Sequence, residues 1–209
     1  MASIGKVEGA DAAAGPAGPL ARLDSLTRAA SSAGGKGLPP VHLWNPPFCG
    51  DIDMRIAADG TWFYMGTPIG RPALVRLFAS ILRKDPERVV LVTPVECVGI
   101  KVDDAPFLGV ELQASGQGPD QRLRLRTNVE DWVEIGPGHA LRFAPGPSGG
   151  LKPYVHVRGG LEALVTRALF YDLVALGETR MVGGETMFGV MSGGAFFAMA
   201  PAAEIEGVA

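Results

Sequence analysis

The chain has 209 residues, enough to bury a sizeable core as one large domain or two small ones. Hydrophobic residues make up 47% and charged residues 20% of the sequence, which are ordinary values for a globular protein. The formal net charge of −3 gives no strong field of either sign, so charge alone favours neither a nucleic acid nor an anionic membrane as a partner.

The two cysteines and the N-terminal residues indicate the compartment. Cys49 and Cys97 stand in no metal-binding or redox spacing. A single disulfide between them is one alternative, but two reduced thiols in the cytoplasm are expected. The N-terminal residues do not have the layout of a signal peptide, and no apolar run approaches the length of a membrane span. The sequence therefore predicts a cytoplasmic protein without a membrane span.

The beginning of the chain is expected to be irregular except for one helix. Residues 1–18 are rich in Ala, Gly and Pro and are predicted to be disordered. Leucines then recur near helical spacing, which predicts a helix over Leu20–Ala33. Gly34, Gly35 and Gly37 follow and would end this helix.

The stretch Asp51–Leu82 predicts a strand, a tight turn, a second strand, a glycine loop and a helix. Asp59-Gly60 is a strong signal for a two-residue turn, which places Ile56 opposite Phe63. Alternation along the strands then predicts an apolar face for the core, formed by Met54, Ile56, Phe63 and Met65. The opposite face carries Asp53, Arg55, Trp62 and Tyr64. A face that mixes charge with large aromatic rings is typical of a second packing surface or a binding surface.

The helix of this stretch is predicted to begin after Arg71, because Pro72 suits a first helical turn. Asp85-Pro86 is expected to end it. We place a domain boundary near residue 87, so that residues 19–87 form an N-terminal α+β domain and residues 88–209 form a β-rich domain. The predicted apolar stripe of the helix consists of Leu74, Leu77, Phe78, Ile81 and Leu82.

Short strands dominate the predicted second domain, and one helix follows them. Seven strands and then a helix is the order of a pleckstrin-homology-like barrel or sandwich capped by its C-terminal helix. The predicted strands are Val89–Thr93, Glu96–Val102, Phe107–Gln113, Arg122–Thr127, Asp131–Ile135, Ala140–Ala144 and Pro153–Val157. The predicted helix has an apolar stripe of Leu161, Leu164, Val165, Ala168 and Leu169.

A distant sequence echo links the two halves of the chain. Arg55 and Arg71 recur 87 positions later as Arg142 and Arg158, together with three leucines of the helix stripe. The match indicates an α+β fold of two small domains that share a hairpin-plus-helix motif. Chance similarity is the alternative, because hairpin plus helix is a common unit.

Several motifs resemble a bacterial family of uncharacterised proteins that is common in proteobacteria. They are HLWNPP at 42–47, DGTWFYMGTPIGR at 59–71, LFASIL at 77–82, LVTPV at 91–95 and SGGAFF at 192–197. The resemblance covers most of the chain from about residue 38 onward. It implies an N-terminal α+β domain, a C-terminal domain of pleckstrin-homology-like character and structural duplication between them. It also implies a functional cleft between the domains and a role in regulation or signal transduction, with no established catalytic residues.

Asp51 and Asp53 are the candidates for catalysis or cation binding. They lie two apart on a predicted strand, so their side chains share a face and could divide acid and base roles. Arg55 follows on the same face and would neutralise them. The three histidines stand in no zinc spacing, and no glycine motif for nucleotides follows a strand. We therefore predict no metal, no cofactor and no catalytic residue.

Arginines and aromatic residues are the candidates for ligand binding. Arg71 and Arg158 each directly precede a predicted helix, where an arginine either helps to bind an anion or forms an ion pair that fixes the loop. Tryptophans and a tyrosine near the hairpin either recognise a small molecule or a peptide, or cement the domain interface. The predicted ligand-binding set is Trp44, Asn45, Asp53, Arg55, Trp62, Tyr64, Arg71 and Arg158.

Three hypotheses for function follow. The first is a non-catalytic regulatory or signal-transduction module that binds a small ligand or a protein partner at the domain interface. The alternative is a small hydrolase or lyase that uses Asp51 and Asp53. The third is a scaffold that docks a partner strand on an exposed sheet edge. No nucleic-acid partner is expected, because the arginines of Arg122–Thr127 are predicted to form a solvated strand face in an acidic protein.

Overall fold

β-Strands are the predominant regular secondary structure of the protein. The computed structural model describes residues 19–33, 37–146 and 150–206. Within these residues there are fifteen β-strands and four α-helices, and the strands form two six-stranded sheets and one three-stranded sheet. The predicted disorder of residues 1–18 and the predicted helix-ending role of Gly34 and Gly35 lie outside the described residues.

The first sheet consists of two three-stranded meanders. Its strands are β1 (Phe48–Ile56), β2 (Trp62–Tyr64), β3 (Thr67–Pro68), β4 (Leu82–Asp85), β5 (Arg88–Val92) and β6 (Cys97–Val102). They lie in the order β3-β2-β1-β6-β5-β4. The central strands β1 and β6 run parallel, and the other neighbours are antiparallel. The first and last strands of this sheet, β1 and β6, therefore join the two meanders.

The second sheet repeats this topology. Its strands are β7 (Phe107–Ser115), β8 (Arg122–Thr127), β9 (Trp132–Ile135), β10 (Leu141–Pro145), β11 (Leu151–Arg158) and β12 (Leu161–Val165). Their order is β10-β11-β12-β7-β8-β9, and the first and last strands, β7 and β12, again pair in parallel at the centre. The repeated unit is thus a six-stranded sheet and not the predicted hairpin plus helix. In this topology β1 corresponds to β7, whereas the sequence echo aligned Arg55 of β1 with Arg142 of β10.

The remaining elements follow and flank the two sheets. The third sheet is antiparallel and consists of β13 (Glu178–Val182), β14 (Glu185–Ser192) and β15 (Ala195–Pro201). The helices are α1 (Pro19–Ala33), α2 (Pro72–Ser80), α3 (Arg167–Ala175) and α4 (Ala202–Glu206), and α1 packs against α2. None of the helices in the described ranges has the length and apolar character needed to cross a bilayer.

One continuous hydrophobic core joins both halves of the chain. Leu26 of α1, Trp62 of β2 and Phe78 of α2 are buried in the same cluster as Phe107 of β7 and Leu173 of α3. Burial of apolar surface contributes about 25 cal/mol per Å², so a shared core couples the stabilities of the two sheets. We therefore expect the two halves to unfold as one cooperative unit.

The predicted register of the first hairpin is wrong by one residue. The structure pairs Ile56 with Trp62 instead of with Phe63. The loop has three residues instead of two, because the Ala57 N–H donates to the Thr61 carbonyl and Gly60 takes a left-handed φ of +79°. A slip of one residue moves every side chain of a strand to the other face. Trp62 therefore lies in the core and is not on the charged face.

Two predicted helices are partly strands. The helix α2 ends at Ser80, and the chain continues into the edge strand β4, so that Asp85-Pro86 lies in the β4–β5 hairpin. The segment Leu161–Val165, predicted as helix, is the strand β12, in which buried and partly exposed residues alternate. The helix α3 begins only at Arg167. The spacing of the leucines fits both a helical period and alternation, which explains the error.

The predicted seven-stranded barrel is not confirmed. Each of the seven predicted strands overlaps a strand of the structure, but β5 and β6 lie in the first sheet and only β7 to β11 lie in the second. The strand β12 completes the second sheet to six. The first sheet thus continues across residue 87, where we predicted a boundary. The predicted division into domains stays a prediction.

Candidate functional site

Trp62 is a core residue. Its side chain is 1% exposed, and its ring stacks on Phe78 with 6.4 Å between the ring centroids. The indole Nε1 is buried and has no hydrogen-bond partner among the described residues. Of the two roles predicted for the aromatic residues, this geometry fits packing, because Trp62 has almost no surface to offer a ligand.

Arg158 clamps the second sheet to the first half of the chain. One guanidinium nitrogen forms an ion pair with Asp131, and the other donates a hydrogen bond of 2.9 Å to the Ala79 carbonyl near the end of α2. The guanidinium carbon lies 4.8 Å from the centre of the Phe107 ring. A cation is favourable at a helix C-terminus, where the backbone carbonyls carry partial negative charge. The contacts of Arg158 therefore fit the ion-pair role that we weighed against anion binding.

Asp53 and Arg55 lie on the exposed face of β1, away from Trp62. Arg55 forms an ion pair of 3.3 Å with Asp103, and its guanidinium carbon lies 5.2 Å from the Phe63 ring centre on the neighbouring strand. Asp51 and Asp53 are exposed on the same face. Among the described residues no group of three or more His, Cys, Asp or Glu side chains could hold a metal ion. The aspartate pair thus lacks the further ligands that a metal site needs.

Asn45 lines a groove between the two halves, which we call the interface groove. Its volume is about 650 Å³. One wall comes from residues 38–42 and Asn45, the floor from β4, and the other wall from Arg158 and the turn that follows it. Trp44 packs its partly buried ring against the core beside this groove. The structure therefore brings Asn45 and Arg158 together at the contact between the sheets, where a cleft was expected.

Arg83 fixes the wall of the interface groove. It forms an ion pair of 2.7 Å with Asp85, and its Nη1 donates to the backbone carbonyls of Val41 at 3.2 Å and Trp44 at 2.5 Å. The hydrogen bond to Asp85 raises the pKa of Arg83. These contacts tie the irregular segment before β1 to the edge strand β4. Sequence reasoning missed this role, because 39 or more residues separate Arg83 from the two carbonyls.

Tyr64 and Arg71 line a second, separate groove beside the helices, which we call the helix groove. Its volume is about 580 Å³, and Leu23 of α1, Ile69 and Leu74 also line it. The predicted ligand-binding residues are therefore spread over several places. They lie in the core, on the outer face of β1, at the interface groove and at the helix groove.

Sequence reasoning missed a polar cluster where the first sheet connects to the second. Asp104 forms an ion pair with Lys152 and accepts a hydrogen bond of 2.6 Å from the Tyr154 hydroxyl. Burial raises the pKa of Asp104, but the hydrogen bonds from Lys152 and Tyr154 outweigh it, so the pKa lies below its ordinary value. The hydrogen bond to Asp104 raises the pKa of Lys152. Burial and then the bond to Asp104 raise the pKa of Tyr154. No motif signals this cluster, since 48 residues separate the ion pair.

Ser192 of the SGGAFF motif has a structural role. Its buried hydroxyl accepts a hydrogen bond of 2.9 Å from the Leu123 N–H and donates one of 2.6 Å to the Ile135 carbonyl. Leu123 and Ile135 are paired at one end of β8 and β9. The hydroxyl thereby bridges the end of this ladder and ties the third sheet to the second.

Comparison with known proteins relates these features to a family. The model of the N-terminal domain of DUF1285, a domain of unknown function, matches residues 39–105. The model of the C-terminal domain of DUF1285, a protein of unknown function, matches residues 106–199. A crystal structure of a DUF1285 family protein from Silicibacter pomeroyi DSS-3 shares 54% sequence identity and has a TM-score of 0.79. The similarity covers 87% of this chain and 97% of that chain. The chain belongs to the DUF1285 family.

A second DUF1285 structure, from Shewanella baltica OS155, is 28% identical, with a TM-score of 0.48. That similarity covers 59% of this chain and 91% of that chain. No curated protein matches the chain. Membership of DUF1285 confirms the predicted relationship to an uncharacterised proteobacterial family.

The two DUF1285 models meet between residues 105 and 106, in the β6–β7 connection that carries Asp104. The cluster around Asp104 therefore lies at the junction of the two family domains.

Proposed function

We propose that this protein is a non-catalytic regulatory module of the cytoplasm that binds a small anionic molecule in the interface groove. The observation that carries the proposal is the charge of this groove. Arg83 and Arg158 are held by Asp85 and Asp131. Lys84 also lines the groove, is exposed, and has no ion pair among the residues that the structure describes. The groove thus combines fixed walls with one exposed lysine that has no ion pair among the described residues, although Lys84 also borders a neighbouring depression lined by Asp51, Glu87 and Asp104.

The shape of the interface groove supports a small ligand. A volume of about 650 Å³ lies within the usual range of roughly 300–1,000 Å³ for small-molecule sites. Asn45 adds an amide that donates and accepts hydrogen bonds, and His42 adds an imidazole. Fixed polar groups of this kind orient a ligand and provide specificity in a site whose other lining is apolar.

The position of the groove supports a regulatory role. Residues from both halves of the chain form its walls, so a ligand that contacts both walls would stabilise their present arrangement. Such a ligand shifts a conformational equilibrium only by its difference in affinity for the two states. The hydrolase or lyase alternative gains no comparable support, because Asp51 and Asp53 lie on an exposed strand face.

The proposal is tested by a thermal-shift screen of the full chain against small anions, including carboxylates, phosphates and nucleotides. An anion present at 100 times its Kd is expected to stabilise the native state by about 2.7 kcal/mol and so to raise the Tm. Lys84→Gln is expected to abolish the rise. Arg76→Gln is the matched control, because Arg76 is exposed on α2 outside the groove. A screen without a stabilising anion, or one whose hit is unaffected by Lys84→Gln, would contradict the proposal.

A further inference from the structure

The helix groove differs from the interface groove in its chemistry. It lies where the β2–β3 hairpin meets α1 and the start of α2. Apolar side chains form most of its lining, from Leu23, Met65, Ile69 and Leu74, and Tyr64 adds an aromatic ring. Its volume of about 580 Å³ fits a small organic molecule. Arg71 is its one charged lining residue among those described.

Met65 is an unusual residue for its position. It lies in the tight turn that joins β2 to β3, and its φ is +50°, followed by Gly66 at +72°. Such left-handed positions favour Gly, Asn or Asp, because other side chains crowd the following carbonyl. Met65 gains little burial in return, since its side chain is 52% exposed. An exposed methionine in a strained backbone position points to a binding role, because its flexible thioether adapts to apolar ligands.

Arg71 is a cation without an ion pair among the described residues at the same groove. Its guanidinium has neither a hydrogen-bond partner nor an ion-pair partner within the part of the chain that the structure describes, in contrast to Arg83 and Arg158. Asp24 lines the adjoining depression together with Arg71 but forms no ion pair with it. A guanidinium presents a planar fork of donors that matches a carboxylate in bidentate geometry.

We propose that the helix groove binds an amphiphilic monocarboxylate, an anion with one carboxylate and a flexible hydrocarbon chain. The carboxylate pairs with Arg71, and the hydrocarbon chain lies over Met65, Ile69 and Leu74. The single uncompensated positive charge beside an apolar surface favours one negative charge with an apolar body over a polyanion or a neutral lipid. The site is separate from the interface groove and does not depend on it.

Isothermal titration calorimetry of the full chain with decanoate, below the concentration at which decanoate forms micelles, tests this proposal. We expect saturable binding at one site. Arg71→Gln is expected to weaken decanoate binding by roughly tenfold to a hundredfold, the range typical of a lost charge-assisted hydrogen bond. Decanol, which has the same chain without the charge, is expected to bind wild type and Arg71→Gln equally. Arg76→Gln is the matched control on the same helix and should leave decanoate binding unchanged.

A second variant tests the apolar part of the site. Met65→Asn suits the left-handed backbone, so it is expected to fold at least as well as wild type while binding both decanoate and decanol more weakly. Absence of saturable decanoate binding, or equal decanoate affinity of wild type and Arg71→Gln, would overturn the proposal. So would light scattering that shows a wild-type dimer which Met65→Asn converts to a monomer, because a second copy would then occupy the groove.

Discussion

Arg158 donates a hydrogen bond to the backbone carbonyl of Ala79, across the contact between the second sheet and helix α2. The two residues are 79 positions apart, so the bond forms only when both halves of the chain are in place. The ion pair of Arg158 with Asp131 and its position over the Phe107 ring hold the guanidinium for this contact. The wall of the interface groove therefore depends on a residue that itself joins the two halves.

Arg158→Lys is expected to lower the free energy of unfolding by about 1–3 kcal/mol, because lysine keeps the charge but cannot reach Asp131 and Ala79 with one planar fork. Urea denaturation measures the change. Arg142→Lys is the matched control on the same sheet. The side chain of Arg142 is 51% exposed, against 22% for that of Arg158, so its replacement should cost only about 0–1 kcal/mol. Equal losses of stability in the two variants would contradict the role of Arg158 in joining the two halves of the chain.

Trp62 should behave as a core residue in mutagenesis. Trp62→Ala is expected to destabilise the protein by about 3–5 kcal/mol, since it leaves a cavity beside Phe78. Trp62→Phe should cost less, because it keeps most of the ring and removes the indole N–H that has no partner among the described residues. Thermal and urea unfolding check both values. If Trp62→Ala left stability unchanged, the structural register of the first hairpin would be wrong.

Ser192→Ala should destabilise the junction of the second and third sheets by about 1–3 kcal/mol, because it leaves the Leu123 N–H buried without its partner. Hydrogen exchange at the Leu123 amide should accelerate in the variant. Ser31→Ala serves as control, since Ser31 is exposed and its hydroxyl donates to the Thr27 carbonyl of the same helix. Unchanged exchange at Leu123 would show that the hydroxyl does not close the β8–β9 ladder.

The cluster of Asp104, Lys152 and Tyr154 predicts a specific dependence of stability on pH. The pKa of Asp104 is lowered from 3.8, so its contribution is present above that value and is lost as the pH falls through the native pKa. The pKa values of Lys152 and Tyr154 are raised from 10.5 and 10.0. Their contributions are therefore present below those values and are lost as the pH rises through the native pKa values.

Asp104→Asn tests this dependence. The variant should be less stable than wild type by about 1–3 kcal/mol near neutral pH, since Asp104 is only 14% exposed and its charge partner stays in place. The difference should shrink in strong acid and in strong alkali, where wild type loses the same interaction. Urea denaturation as a function of pH measures it. A difference that does not vary with pH would assign the loss to packing instead of to charge.

The sequence predicted local structure better than it predicted contacts. The predicted strand Arg122–Thr127 coincides with β8, because strict alternation over six residues leaves one interpretation. The spacing of the apolar residues in Leu161–Val165 fits both a helix and a strand. Only the pairing with β11 shows that this segment is a strand. The surroundings of the three-residue loop at Gly60 were equally absent from the local sequence. Gly60 packs against the side chains of Asn128 and Leu108, where an added Cβ would lie 2.9 Å from each.

The candidate sites were predictable only in part. Asn45 and Arg158 of the predicted ligand-binding set both line the interface groove, and their role in binding stays a prediction. Lys84, which carries the proposed function, belongs to no motif in the sequence, and only its place on β4 shows that it lines the groove. Side-chain pairs between residues that lie far apart in the sequence leave no spacing that a single sequence reveals.

The proposed binding of a small anion in the interface groove, between the two halves of the chain, can be observed by NMR in a protein of 21.8 kDa. Amide chemical shifts are recorded while the best-stabilising anion is added. We expect perturbations on both walls, at Arg83 and Lys84 and at the turn after Arg158, and their loss in Lys84→Gln. Perturbations confined to other surfaces, or identical perturbations in Lys84→Gln, would contradict it.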